Sequence, residues 1–235
     1  MTTFVLVHGA SSDHRYWSRV APLLVASGHD VVAPDLPLAD DTAGFAQYAD
    51  AVVKAVGTRG PVVLVGQSMG AFTVPLAARR IPTKLLILLA PMVPMPGETA
   101  GAWWTTTGHR AAVEAHAAEL GLDPARLDPV GDPWTTFFHD LSPDLVAELE
   151  SAGAPVQSGA VFGLPYPLER WPDVPTRVVA ARDDRLFPLP FVRRLASERL
   201  RVQTEVVPGG HLVALGHPQE VATTLLRLAG EIGSG

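Results

Sequence analysis

Six short apolar runs, alternating with stretches of helical period, constrain this chain more than any other feature of its sequence. The runs cover residues 4–7, 30–33, 62–65, 84–89, 177–181 and 202–207, and Gly, Pro or Asp bound them. Runs this continuously apolar are expected to be strands buried on both faces. Between them, residues 16–26, 42–56, 69–80, 188–199 and 218–229 carry helical patterns. Connections of that length do not close hairpins, so successive strands must run parallel, with the crossing helices packed on the sheet. The expected fold class is α/β: a mostly parallel six-stranded sheet with helices on both faces.

The rhythm breaks once. Residues 92–171 show no strand pattern; 111–120 and 143–149 look helical, and Pro124, Pro129, Pro133, Pro155, Pro165 and Pro167 punctuate the rest. This stretch is expected to be a cap, or lid, inserted after the fourth strand into a core made of residues 1–91 and 172–232. A chain of 235 residues, 47% hydrophobic and 18% charged, supports one substantial core and is short for two independent domains. Pro75 falls inside the third helical pattern, where it removes a backbone hydrogen bond and predicts a kink. Gly233, Ser234 and Gly235 are set aside as a tail.

Charge and composition exclude several classes of function. A net charge of −6, with Lys and Arg scattered, gives no basic footprint, so nucleic acid is not an expected partner. No cysteine is present for disulfides or thiolate metal sites, which fits a reducing compartment. No basic stretch precedes the first apolar run, and none of the apolar runs approaches the roughly 20 residues of a membrane span. The expectation is a soluble, cytoplasmic protein with no membrane association; nothing in the sequence sets its oligomeric state.

The third strand leads directly into Gly66, Gln67, Ser68, Met69 and Gly70, a GxSxG pattern in the strand, turn, helix context that this pattern requires. The glycines have a physical reason, because a turn sharp enough to lift a serine hydroxyl clear of the backbone crowds its neighbours and strains its own φ and ψ. Ser68 is the candidate nucleophile. A serine hydroxyl needs a base to take its proton, and the base needs a carboxylate to orient it. His211 follows the last strand after Pro208, Gly209 and Gly210, and Asp184 follows the fifth, so both belong at the edge of the sheet where Ser68 projects. His217 is the rival base and Asp183 the neighbouring acid. Two backbone N–H groups must then hold the oxyanion: that of Met69, beside the nucleophile, and that of Ala10, in the loop after the first strand. His8 is taken as a packing residue that shapes this loop.

Along nearly the whole chain, the His8-Gly9-Ala10 loop, the Asp35-Leu36-Pro37 turn, the GQSMG turn, ARDDRLFP at 181–188 and PGGHLVALGHP at 208–218 resemble the α/β-hydrolase superfamily. The short chain and its FFHD segment at residues 137–140 are similar to the small esterase and hydroxynitrile lyase group within it. That resemblance implies a Ser-His-Asp hydrolase with no cofactor, acting on a small-molecule ester. The lyases of the group carry a lysine after the triad histidine and a hydroxyl residue in the oxyanion loop, whereas this chain has Leu212 and Gly9; the departures favour ester hydrolysis. The alternatives are a lyase or carbon–carbon cleaving enzyme on the same residues, and a non-catalytic ligand receptor.

Trp103, Trp104, Trp134, Phe137, Phe138 and Phe162 of the cap, with Leu212 beside the base, are candidates to line the substrate pocket; packing the cap on the sheet is the competing use of these rings. Few charges accompany them, which points to an uncharged, small to medium ester or lactone. Asp35 reads as a turn residue. His109, His116 and His139 lack ligand spacing, so no metal is expected.

Overall fold

The computed structural model describes residues 1–232. Six strands form: β1 (Thr3–Val7), β2 (Asp30–Val32), β3 (Val62–Gln67), β4 (Thr83–Leu89), β5 (Thr176–Ala181) and β6 (Thr204–Val207). They order as β2-β1-β3-β4-β5-β6, and every pairing is parallel. The four inner strands are buried along nearly their whole length, while β2 and β6, at the edges, are half-buried to exposed apart from the buried Val207. Their residues alternate between two cores. Val5, Leu64, Leu86 and Val178 face one, and Phe4, Val63, Ile87 and Val179 face the other. Period-two alternation with both faces buried is what makes these strands read as unbroken apolar runs.

Helices cover both faces. The first helical pattern splits into a 3-10 turn (His14–Trp17) and α1 (Ala21–Ala26), because Pro22 has no N–H to continue a helix and is accepted only in a first turn. The second starts late, at α2 (Phe45–Val56). Asp40 takes the Thr42 N–H into a turn at 2.8 Å, and Gln47 Oε1 receives the Gly44 N–H at 2.9 Å to cap the helix. α3 (Gly70–Ala78) continues through Pro75.

The long β4–β5 connection carries α4 (Ala100–Thr106), α5 (His109–Leu120), a π-helical turn (Trp134–Phe138) and α6 (Pro143–Ala152). α4 was not anticipated: its AGAWWTT sequence has weak helix propensity, and Thr99 starts it by accepting the Ala102 N–H at 2.9 Å. This connection packs on the sheet, with Trp103, Val161, Tyr166 and Leu168 buried in the first core. α7 (Leu189–Leu195) runs into a second π-helical turn, and α8 (Val213–Gly216) and α9 (Pro218–Ile232) close the second core. Among the described residues, no helix is long and apolar enough to cross a membrane.

Candidate active site

Parallel strands deliver all their carboxyl ends to one edge, which is where open α/β sheets place their sites. β3 ends there in the GxSxG turn. A Cβ on Gly66 would lie 2.8 Å from Gly70 O, and one on Gly70 2.8 Å from His8 O, so backbone contacts on two sides admit only glycine. Ser68 is forced to φ 50, in the left-handed region. Of the four non-glycine residues with positive φ among those described, Ser11, Ser68 and Ala90 follow β1, β3 and β4 at this same edge. Backbone strain therefore collects around the serine. The turn is held regardless, since Ser68 N–H donates to Leu89 O at 3.0 Å and Ser68 O accepts from Met92 N–H at 3.1 Å.

His211 and Asp184 meet at the neighbouring strand ends. His211 Nδ1 lies 2.8 Å from Asp184 Oδ2, and both side chains are buried. Asp184 Oδ1 accepts the N–H groups of Leu186 and Phe187, each at 2.8 Å. A carboxylate already taking two amide protons is an acceptor, so Nδ1 carries the imidazole proton and Nε2 keeps a basic lone pair. That lone pair accepts the side-chain N–H of Gln67 at 3.3 Å, and Gln67 immediately precedes Ser68. The Ser68 hydroxyl makes no hydrogen bond among the described residues; such catalytic contacts commonly tighten only on substrate binding.

Met69 follows Ser68 in this turn, and Ala10 lies in the loop after β1. Gly9 packs so closely on the turn that a Cβ there would be 2.9 Å from Ser68 Cβ. The loop after β1 thus runs beside the serine. Among the described residues no backbone or side-chain acceptor takes the N–H of Ala10 or of Met69. His8 is buried with both nitrogens engaged, Nδ1–H donating to Gly9 O at 2.9 Å and Nε2 accepting Leu36 N–H at 3.2 Å. Burial pushes its pKa down, and it ties the β1 loop to the β2 loop. Asp183 is not the partner of His211: it takes Arg182 at 3.0 Å and the Gly209 N–H at 3.1 Å, which braces the loop before His211. Asp35 bonds His14 at the surface. Asp13, His14 and Asp35 come within metal-ligand distance of one another there, with Asp13 already committed to Arg15.

The expected pocket residues have separate fates. Trp103 is fully buried and donates its indole N–H to Val93 O at 2.9 Å. Trp104 is half-buried against His109 and Phe187. Phe138 packs on the exposed Trp134, and Leu212 packs on the second core. The rings that touch His211 are Phe187, at 4.9 Å between centroids, and Phe137, at 5.7 Å. Sequence reasoning missed Phe187, although it sits inside ARDDRLFP. It also missed His109, whose Nε2–H donates to Leu186 O at 2.6 Å and buttresses the loop that presents Asp184.

The family model described as the alpha/beta hydrolase family matches residues 4–224. The chain is 25% identical to polyneuridine aldehyde esterase of Rauvolfia serpentina, over 96% of this chain and 95% of that protein. It is 27% identical to pyrethroid hydrolase of Sphingobium wenxiniae, over 97% and 88%. The crystal structure of polyneuridine aldehyde esterase covers 97% of this chain and 99% of that one with a TM-score of 0.75 at 21% identity, a likeness of fold.

Proposed function

The chain belongs to the alpha/beta hydrolase family, and from that premise we propose that it is a serine esterase with Ser68 as nucleophile, His211 as general base and Asp184 as the orienting acid. The reading rests chiefly on the 2.8 Å bond from His211 Nδ1 to Asp184, which leaves Nε2 basic beside the Gln67-Ser68 turn. In the first step Nε2 takes the Ser68 proton as Oγ attacks the ester carbonyl, and the Met69 and Ala10 N–H groups receive the oxyanion. His211 then returns the proton to the departing alcohol. Water, deprotonated by the same histidine, releases the acid from Ser68. His8, neutral and doubly bonded, has no proton to exchange in this scheme; its role is to hold the oxyanion loop.

An uncharged, small to medium ester or lactone suits the apolar rings of Phe137 and Phe187 around the base. Residues 92–171 serve as the cap over the core of residues 1–91 and 172–232. Hydrolysis is favoured over cyanohydrin cleavage by Leu212, where the lyases carry lysine, and by Gly9, where a side chain would press on Ser68 Cβ. The esterases and hydrolases among its relatives point the same way.

The test is hydrolysis of p-nitrophenyl esters from acetate to decanoate by wild type and Ser68→Ala. A stoichiometric burst followed by turnover, both lost in the variant, is the expected result, and the chain-length optimum reports the depth of the acyl pocket. Turnover that survives in Ser68→Ala would overturn the nucleophile assignment.

A further inference from the structure

The residue before the base is held by the β4–β5 connection. Gly210 N–H donates to Asp140 Oδ2 at 2.6 Å, across 70 positions of sequence. The fit around that bond is close on several sides. A Cβ on Gly210 would meet Asp140 Oδ1 and His139 Nε2, both at 2.8 Å, and one on Gly216 would meet Leu141 Cδ2 at 2.9 Å. Gly209, at φ 104, has the His217 ring where its Cβ would be. Glycines at 209, 210 and 216 thus make the room in which residues 139–141 and the His217 ring seat against the loop. His217 Nε2 lies 3.6 Å from Asp140 Oδ2, on the loop side, and His139 Nε2 lies 4.0 Å from Oδ1.

We infer that Asp140 is a positioning residue for His211, coupling the placement of the β4–β5 connection to the alignment of the base. The inference rests on the reading of His211 as that base. Four contacts fix the backbone at residues 209–211: Asp183 N–H donates to Gly209 O at 2.9 Å, the Asp183 carboxylate accepts Gly209 N–H at 3.1 Å, Tyr16 OH donates to His211 O at 3.4 Å, and Asp140 accepts Gly210 N–H at 2.6 Å. Asp140 supplies the shortest, an amide proton on a carboxylate, which is the stronger kind of hydrogen bond. Asp184 sets the tautomer and tilt of the ring, whereas Asp140 sets where its backbone stands. Misplacing a reacting group by about 1 Å costs on the order of 100-fold in rate. The same contact gives a use to the FFHD segment and to His217, neither of which the proposed acyl transfer employs.

The test compares Asp140→Ala, Asp140→Asn and Gly210→Ala by steady-state kinetics on an activated ester, by the rate at which a fluorophosphonate labels Ser68, and by the proton resonance of His211 Nδ1–H. Asp140→Ala is expected to lower kcat and the labelling rate together by about 10- to 100-fold, with KM changed by less than about 3-fold. Asparagine keeps an oxygen for the Gly210 N–H and is expected to restore most of the rate. Gly210→Ala, whose Cβ displaces Asp140, is expected to repeat the loss. The Nδ1–H resonance should shift or broaden in the alanine variants and stay near its wild-type position in Asp140→Asn. Wild-type labelling with Asp140→Ala, or asparagine no better than alanine, would overturn the inference. If Asp140→Ala does not fold, equal rates for Asp140→Asn and Gly210→Ala overturn it. Absence of label on wild-type Ser68 refutes the nucleophile assignment instead, and the resonance, which needs no turnover, still decides the role of Asp140.

Discussion

The sheet and the β4–β5 connection hold the same histidine by different means. On the sheet side the hold is backbone geometry: Asp184 is locked by the Leu186 and Phe187 amides, and Ser68 by a turn that admits only glycine at positions 66 and 70. On the other side it is side-chain reach, through Phe137, Asp140 and His109. The two also differ in how completely their polar groups are satisfied. Of seven buried side-chain polar atoms without a hydrogen-bond partner among the described residues, four belong to Thr136, His139, Asp140 and Tyr166 of the connection. An unmet buried polar group costs roughly 1–3 kcal/mol, so free energy for local opening is lowest where such groups gather. The backbone that presents Ser68 and Asp184 thus lies in the more fully bonded part, and the side chains that brace it come from the less fully bonded one.

The sharpest way to break this contrast uses the two rings that touch His211. Phe187 is fully buried, among Trp103, His109 and Phe191. Phe187→Ala is expected to cost about 3–5 kcal/mol of stability, read by urea denaturation. Phe137 is half-buried, and Phe137→Ala is expected to cost about 1–2 kcal/mol while changing kcat/KM for longer acyl chains more than the melting temperature. Equal stability losses would show that the connection is as firmly built as the sheet.

A smaller effect tests the strain at Ser68. Holding a non-glycine residue at φ 50 costs on the order of 1–2 kcal/mol, part of which is offset by the extra freedom glycine has when unfolded. Ser68→Gly is therefore expected to abolish turnover and raise Tm by about 2–4 °C, whereas Ser68→Ala, which keeps a Cβ, abolishes turnover without that gain. A Tm in Ser68→Gly at or below that of Ser68→Ala would mean that the turn is unstrained.

The contrast also explains what could be read from the sequence. Strands buried on both faces leave continuous apolar runs, and all six emerged with ends shifted by no more than two residues. The catalytic candidates were legible because each directly follows a strand, so topology alone carries them to one edge. Phe187 was hidden because it lies three residues past Asp184, where nothing in the local pattern tells a buried ring from an exposed one. His109 and Asp140 were hidden for a deeper reason: they reach Leu186 and Gly210 across 77 and 70 positions, and α4, whose boundaries help set that approach, is held by a Thr99 cap rather than by propensity. Irregular connections are specified by tertiary contacts, which periodicity does not encode.

The smallest predicted effect sets the two regions against each other through pH. Burial lowers the pKa of His8, in the β1 loop, and of His109 and His139, in the connection, below the ordinary value of 6.5; at His139 the Arg185 charge adds to this. The folded chain keeps these rings neutral while the unfolded chain takes up protons near pH 6.5, so the unfolded state binds more protons below that point and stability falls as pH drops through it. Tm is expected to decline between pH 7 and 5.5, above the range in which carboxylates titrate. His8 is the most deeply buried of the three, with 1% of its surface exposed, and both its nitrogens are bound. His8→Gln should therefore flatten the decline more than His139→Gln does. The reverse order would place the tighter burial in the connection, and with it the firmer of the two grips on His211.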